Sequence, residues 1–337
     1  MIIFSNEIAF LGMGSFGTAI AHCLDKTNRY KISFYCRNEE LVKNFNEAKS
    51  NVKSFPEYTF DNTIATSNIA QAVSKKSIIF ITTPSNAIEE ICHQIKDHIK
   101  SNTKIILCSK GISSDKPYFY SKIIKNILKK KVSIYIFSGP NFADEIISGD
   151  LSITTIAGEG IIKTKLISLL FRDTNIKIET TKDVNGVQIF GAMKNVMAIT
   201  IGILEGLKCG RNRTIRTIMH FVKEIQKLNS HFGAKKNTAY LSAGIGDIML
   251  TCFDDKSRNK KFGLEIAKGK SIENIIKDQL IEGYYAIKSI RIMSNNLKRI
   301  DKKNLFYINA LYDILYNEKD PRILLDTVER KLEKENI

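Results

Sequence analysis

Two groups of residues in this 337-residue chain have types and spacing suited to chemistry. The first is a lysine in an apolar stretch: between Val184 and Leu204, Lys194 is the only charged residue. Buried lysines are rare unless paired or functional. Desolvation lowers an ammonium's pKa toward neutrality, where proton transfer works best. Lys194 is therefore a candidate general acid and base. The second group is Phe10 to Gly17, F-L-G-M-G-S-F-G. Its glycines Gly12, Gly14 and Gly17 have the G-x-G-x-x-G spacing, between a strand pattern and a helix pattern (Thr18 to Leu24), which is the context that gives the spacing meaning. Gly12 permits a tight turn, Gly14 lets backbone approach a pyrophosphate, and Gly17 lets helix and strand pack closely. The pyrophosphate then meets the free N–H groups of the helix N-terminus.

The elements that must position these groups follow from the apolar pattern. Glu7–Leu11, Lys31–Cys36, Ser77–Thr82, Lys104–Cys108 and Ser133–Phe137 are short, continuous apolar runs that suit strands covered on both faces. Amphipathic stretches such as Asn38–Phe45 and Asn86–Ile99 separate them. Such an alternation predicts an α/β domain with a parallel sheet and right-handed crossovers. Ile153–Ala157 and Asn175–Glu179 add two β-like pieces, and beyond about Lys182 the chain reads as helices. The expected organisation is a Rossmann-like, mostly parallel domain over 1–182 and an all-helical domain over 183–337.

Ligands of such sheets bind beyond the carboxyl ends of the strands, so the polar breaks there are candidate sites. They are Thr83-Pro84-Ser85, Ser109-Lys110-Gly111 and Ser138-Gly139-Pro140-Asn141. Lys110 can pair with an anionic substrate; the alternative is a surface lysine. After the second strand stands Arg37, where an acidic residue would bind a ribose 2′-hydroxyl and favour NAD. A guanidinium accepts a 2′-phosphate, so NADPH is favoured or at least tolerated; the alternative is an exposed arginine without a role.

Composition excludes several classes. The net charge of +16 reflects Lys, Asn and Ile abundant throughout. The dense basic runs, Lys129–Lys131 and Lys302–Lys303, are short, and no nucleic-acid motif accompanies them. Six cysteines form no C-x-x-C pair and no zinc spacing, so no metal site is expected, and reduced thiols in a cytoplasmic protein are. The 21 residues from Val184 to Leu204 could span a bilayer by length. Lys194 at their middle would cost about 2.5–3.5 kcal/mol on insertion, so a buried core helix is expected instead.

Further motifs narrow the reading. Gly191-Ala192-Met193-Lys194-Asn195 resembles the G-A-x-K-N signature of NAD(P)-dependent glycerol-3-phosphate dehydrogenases. Ala243-Gly244-Ile245-Gly246-Asp247, Ser257-Arg258-Asn259, Phe262-Gly263, the Ser138-Gly139-Pro140 turn and the Ser109-Lys110-Gly111 loop match that family too, in the same order. The resemblance runs from Gly12 to about Tyr316, and Asn141 stands where the family usually has Ser or Thr. It implies interconversion of glycerol 3-phosphate and dihydroxyacetone phosphate with NADH or NADPH, feeding phospholipid synthesis, in a cytoplasmic homodimer with a small-molecule substrate. It implies Lys194 as the acid/base, with Asp247 beside it to orient the amine. Lys110, Gly139, Asn141, Lys194, Asp247, Ser257, Arg258 and Asn259 would contact substrate. Arg258 would supply a planar fork matched to phosphate. Gly12, Gly14, Ser15, Phe16, Gly17, Arg37, Lys110, Ala143 and Arg258 would line the cofactor, with Leu280 and Glu282 closing over it.

Overall fold

The computed structural model describes residues 6–113, 118–129, 132–295 and 305–326. Of the basic runs, Lys130, Lys131, Lys302 and Lys303 lie outside them. The chain divides into two units: Met1–Lys110 with Tyr120–Val184, and Gly111–Phe119 with Asn185–Ile337.

The first unit begins β1 (Glu7–Leu11), α1 (Ser15–Asp25), β2 (Lys31–Tyr35), α2 (Glu39–Ala48). A small excursion follows, β3 (Ser50–Asn51) and β4 (Phe55–Thr59), then β5 (Thr63–Thr66) and α3 (Ile69–Val73). Next come β6 (Ile78–Ile81), α4 (Ile88–Ile95), β7 (Lys104–Leu107), α5 (Tyr120–Leu128) and β8 (Ser133–Ser138). The unit closes with α6 (Ala143–Ser148), β9 (Ser152–Gly158), α7 (Ile161–Ser168) and β10 (Ile176–Thr181).

Eight strands form one sheet in the order β10-β9-β8-β7-β6-β1-β2-β5. From β1 the chain builds outward to β2 and β5, then returns to β6 on the other side and builds the opposite way. Because βαβ crossovers are right-handed, that reversal puts the two sets of helices on opposite faces. It also opens a crevice where β1 and β6 end, the usual ligand position of such sheets. The central strands are buried along their length, Ile78–Ile81 completely. Phe10, Phe34, Phe80, Phe137 and Phe171 fill the core, with Phe10 stacked on Phe80.

The sheet is not wholly parallel. β9 runs antiparallel to β8, and β10 runs parallel to β9. β8 and β9 are joined through α6, six residues long, and the loops on either side of it. The excursion over 50–66 has no counterpart among the expected strands. β3 has two residues and β4 reads F-P-E-Y-T, so neither offers an apolar run.

The second unit is helical: α8 (Val184–Gly206, whose first residue belongs to the sheet unit), α9 (Arg211–His231), α10 (Asp247–Phe253), α11 (Arg258–Ala267), α12 (Ile272–Asp278), α13 (Glu282–Asn295) and α14 (Phe306–Tyr316). α8 is long and apolar enough to cross a membrane by composition, yet nearly all of its most apolar window is buried. It is the central helix of this core. Gly111–Phe119 belongs to this unit because Ile112 and Phe119 are buried in its core, and Ser289 Oγ donates to the Ser113 carbonyl at 2.8 Å.

Candidate active site

In the sheet unit, the turn after β1 is shaped by glycines with different jobs. Gly12 has φ +112° and lies against Thr83; a Cβ there would sit 3.1 Å from the Thr83 backbone nitrogen. Gly17 is pressed against β6, where a Cβ would meet Thr82 Oγ1 at 2.6 Å and the Gly12 carbonyl at 2.9 Å. A Cβ on Gly14 would meet nothing within 4 Å, so the turn is open at the residue that N-caps α1. Two side chains brace this loop. Thr82 Oγ1 is within hydrogen-bond distance of the Leu11 and Gly12 carbonyls (3.1 and 2.9 Å). Asn51 Nδ2 donates to the Met13 carbonyl (3.0 Å) and Thr18 Oγ1 (2.8 Å). Ser15 is exposed, Phe16 packs its ring 6.2 Å from Phe137, and Arg37 is exposed just beyond β2.

The ends of β7 and β8 lie along the same sheet edge. Ser109 Oγ donates to the Thr83 carbonyl, and Lys110 Nζ donates to the Gly139 carbonyl at 3.0 Å. Gly139 is buried against β9, where a Cβ would sit 2.8 Å from the Ile153 carbonyl. Thr154 Oγ1 donates to Asn141 Oδ1 at 2.7 Å. Asn141 Nδ2 and Thr83 Oγ1 are buried without a hydrogen-bond partner among the described residues. Buried polar groups in folded proteins are normally satisfied, so these two donors are candidate ligand contacts. Ala143, half-buried, opens α6. An open glycine at a helix N-terminus and unpartnered donors along the strand ends fit a nicotinamide dinucleotide.

In the helical unit, Lys194 Nζ lies 2.6 Å from Asp247 Oδ1, with the lysine side chain 12% exposed and the aspartate 0%. Asp247 is the first residue of α10, entered through a π-turn over Ser242–Gly246. Only glycine fits at Gly244: its φ/ψ of −92°/−110° is non-helical, and a Cβ would lie 2.3 Å from the Ala239 carbonyl. Ser257 caps α11, its Oγ accepting from the Lys260 N–H at 3.3 Å. Arg258 follows, exposed, at the first position of the helix.

A second network runs beside the lysine. Asn259 Nδ2 donates to Asn195 Oδ1 at 3.1 Å, and Asn259 Oδ1 accepts from the Gly283 N–H at 2.9 Å. Asn195 Nδ2 donates to Glu282 Oε2 at 2.9 Å. These bonds tie α8, α11 and α13 together around the neighbour of Lys194. The helices approach closely because glycines stand where they cross: a Cβ on Gly202 would lie 2.1 Å from the Lys260 carbonyl, and one on Gly263 2.1 Å from the Ile199 carbonyl.

Two family models match this chain in succession. The NAD-dependent glycerol-3-phosphate dehydrogenase N-terminus covers residues 7–161, and the corresponding C-terminus covers residues 183–326. The chain belongs to the NAD-dependent glycerol-3-phosphate dehydrogenase family. It is 31% identical to the glycerol-3-phosphate dehydrogenase [NAD(P)+] of Clostridium botulinum, over 98% of this chain and 99% of that protein. It is also 31% identical to that of Leptospira biflexa, over 98% and 100%. The crystal structure of glycerol-3-phosphate dehydrogenase from Coxiella burnetii superposes with a TM-score of 0.86 at 27% identity, covering 98% of this chain and 100% of that one.

Within this family's framework, the structure brings Lys194 to Asp247 and gathers Asn195, Asn259 and Glu282 by direct bonds. It brings Lys110 to Gly139, with Asn141 two residues further on. Leu280, half-buried, sits in the turn before α13. Sequence reasoning missed the braces, Asn51, Thr82 and Thr154, and the hub Asn195. The asparagine was visible in G-A-M-K-N, directly after the lysine, but its partners are far away in sequence. The family uses NADH or NADPH.

Proposed function

We propose that this protein is a glycerol-3-phosphate dehydrogenase that interconverts sn-glycerol 3-phosphate and dihydroxyacetone phosphate with NADH or NADPH. The observation that carries the reading is the buried Lys194–Asp247 pair at 2.6 Å, on the motif that the family shares. Reducing the ketone requires a hydride at carbon and a proton at oxygen, and the nicotinamide, when bound, supplies the hydride. Lys194 donates the proton to the carbonyl oxygen, and in the reverse direction its neutral amine takes the hydroxyl proton. Asp247 orients the amine and compensates the ammonium where water does not.

Arg258, with Ser257 and Asn259 at the α11 N-terminus, receives the phosphate. The guanidinium fork matches phosphate oxygens, and the helix terminus favours an anion. Lys110, Gly139 and Asn141 contribute further substrate contacts. In the cofactor, the Gly12–Gly14–Gly17 turn, with Ser15 and Phe16, holds the pyrophosphate, and Lys110, Ala143, Arg258, Leu280 and Glu282 complete its lining. Arg37, exposed just beyond β2, takes a 2′-phosphate in this reading, so NADPH is favoured or at least tolerated. The protein acts as a cytoplasmic homodimer in the supply of glycerophospholipid precursors.

A steady-state assay with dihydroxyacetone phosphate, NADH and NADPH in parallel tests the reading. Turnover is expected with both cofactors, with the NADPH preference lost in Arg37→Ser. No turnover from folded protein that still binds nucleotide would move the assignment to a different hydroxy acid or sugar phosphate. Turnover with no change in Arg37→Ser would remove only the cofactor assignment.

A further inference from the structure

A buried cation outside this machinery remains to be explained. Lys260, in the first turn of α11, is 4% exposed. Its Nζ lies 3.1 Å from Glu205 Oε2 on α8 and 3.0 Å from Asp255 Oδ1 in the loop before α11. Burial pulls the Lys260 ammonium down, and its hydrogen bonds to Asp255 and Glu205 more than reverse this, leaving its pKa above the ordinary lysine value. The same contact holds the Asp255 carboxyl below the usual range. Lys260 is thus a fixed charge.

Its backbone is fixed as well. The Lys260 N–H is the donor that Ser257 Oγ caps, and its carbonyl is the atom against which Gly202 of α8 packs. Within the loop that Asp255 belongs to, the Lys256 N–H donates to Asp254 Oδ1 at 2.9 Å and the Ser257 N–H to the Asp254 carbonyl at 3.2 Å. Asp255 is 94% exposed at its side chain, so a surface ion pair of ordinary worth would not hold it. Its partner here is a buried ammonium, anchored at its other side to the helix that carries Lys194. Glu205 stands eleven residues beyond Lys194 on α8, about 16 Å along the axis.

We infer that Lys260 is a positioning residue that clamps the phosphate-binding turn Ser257–Asn259 to α8, through Glu205 on one side and Asp255 on the other. The clamp sets where Arg258 stands relative to Lys194, and so the span between the substrate's phosphate and the oxygen that exchanges the proton. This inference rests on the proposed function. A clamp of this kind acts only on substrates that carry a phosphate, and that separates it from a general structural role.

The test compares dihydroxyacetone phosphate with phosphate-free dihydroxyacetone as substrates of the full-length protein, its Lys260→Met and Lys260→Arg variants, and Asp255→Asn. Misplacing a binding group by about 1 Å costs up to roughly 100-fold in rate. For Lys260→Met, kcat/KM for the phosphorylated ketone is expected to fall about tenfold or more, mainly through KM, while kcat/KM for dihydroxyacetone stays within about twofold. Lys260→Arg should recover most of the loss. Asp255→Asn, on a side chain 94% exposed and with Glu205 still paired to Lys260, should show the same selective loss at smaller size, and it decides the matter alone if Lys260→Met does not fold. Equal loss with both ketones, or no loss with either, overturns the clamp. If the unaltered protein fails to reduce dihydroxyacetone phosphate at all, the proposed function fails first, and that result is distinguishable from the others.

Discussion

At the end of β1 the proposed binding groups are backbone N–H groups, in a turn left open at Gly14, where a Cβ would meet nothing within 4 Å. Around Lys194 the proposed apparatus is made of side chains, and they hold one another. Lys194 is paired with a fully buried aspartate, while Asn195, Asn259, Glu282 and the Gly283 N–H form a chain of hydrogen bonds. The two regions should therefore break in different ways. Adding atoms damages the turn, and the damage is to binding. Removing atoms damages the lysine site, and the damage reaches stability as well, because a buried charge loses its partner.

Lys194→Met should produce the largest effect. Loss of a positioned proton donor typically costs about 10²–10⁴-fold in kcat. Because Asp247 is fully buried, the substitution also removes the cation paired with a buried carboxylate, at about 3–5 kcal/mol of stability. The double variant Lys194→Met, Asp247→Asn should recover most of the thermal midpoint and none of the turnover. Calorimetry beside the assay separates the two losses; a single variant as stable as the starting protein would mean that Asp247 does not depend on the pair.

Two glycine substitutions sharpen the comparison. Gly263→Ala drives a methyl toward the Ile199 carbonyl, 2.1 Å from an ideal Cβ, and neither backbone can yield without moving α8 from α11. Overpacking of this kind costs about 1–3 kcal/mol, read as a lower urea midpoint. Gly14 has φ −78° and open space, so Gly14→Ala should leave the midpoint unchanged while weakening NADPH binding in a fluorescence titration. Should Gly14→Ala bind as well as the original, the pyrophosphate does not approach the turn at that residue.

What was legible in the sequence follows the same division. The glycine turn is a local pattern, strand then G-x-G-x-x-G then helix, and all of it lies within eighteen residues. Lys194 stood out because a charge inside an apolar helix is anomalous. The partners were not legible. Asn51 braces the turn from a two-residue strand that has no periodicity to read, and Thr82 looked like the polar end of an apolar run. Gly202 and Gly263 are featureless in an apolar and an amphipathic helix until their crossing is known. Gly111–Phe119 looks like the outgoing loop of a βα unit, yet Ile112 and Phe119 are buried in the helical core. Each of these depends on a contact between residues distant in sequence, which no local spacing encodes.

A further difference between the units is expected in alkaline stability. Burial pushes the thiols of Cys23 and Cys92 up to about 12 in the sheet unit, and that of Cys108 higher still. In the helical unit burial pushes Cys252 up to about 12. The unfolded chain loses these protons near pH 9, whereas the folded chain keeps them. Above that point the unfolded state binds fewer protons, so stability falls as pH rises. The contribution is whole below about pH 8 and is lost progressively from about 9 toward 12, at up to about 1.4 kcal/mol per pH unit for each thiol. Replacing Cys23, Cys92 and Cys108 together by alanine should flatten the decline in urea midpoint between pH 8 and 10 about three times as much as Cys252→Ala. The slope reports proton release and not packing, so the cavities that alanine leaves shift the curve without changing its steepness. Equal slopes in all three proteins would mean that the buried thiols do not govern the alkaline limb.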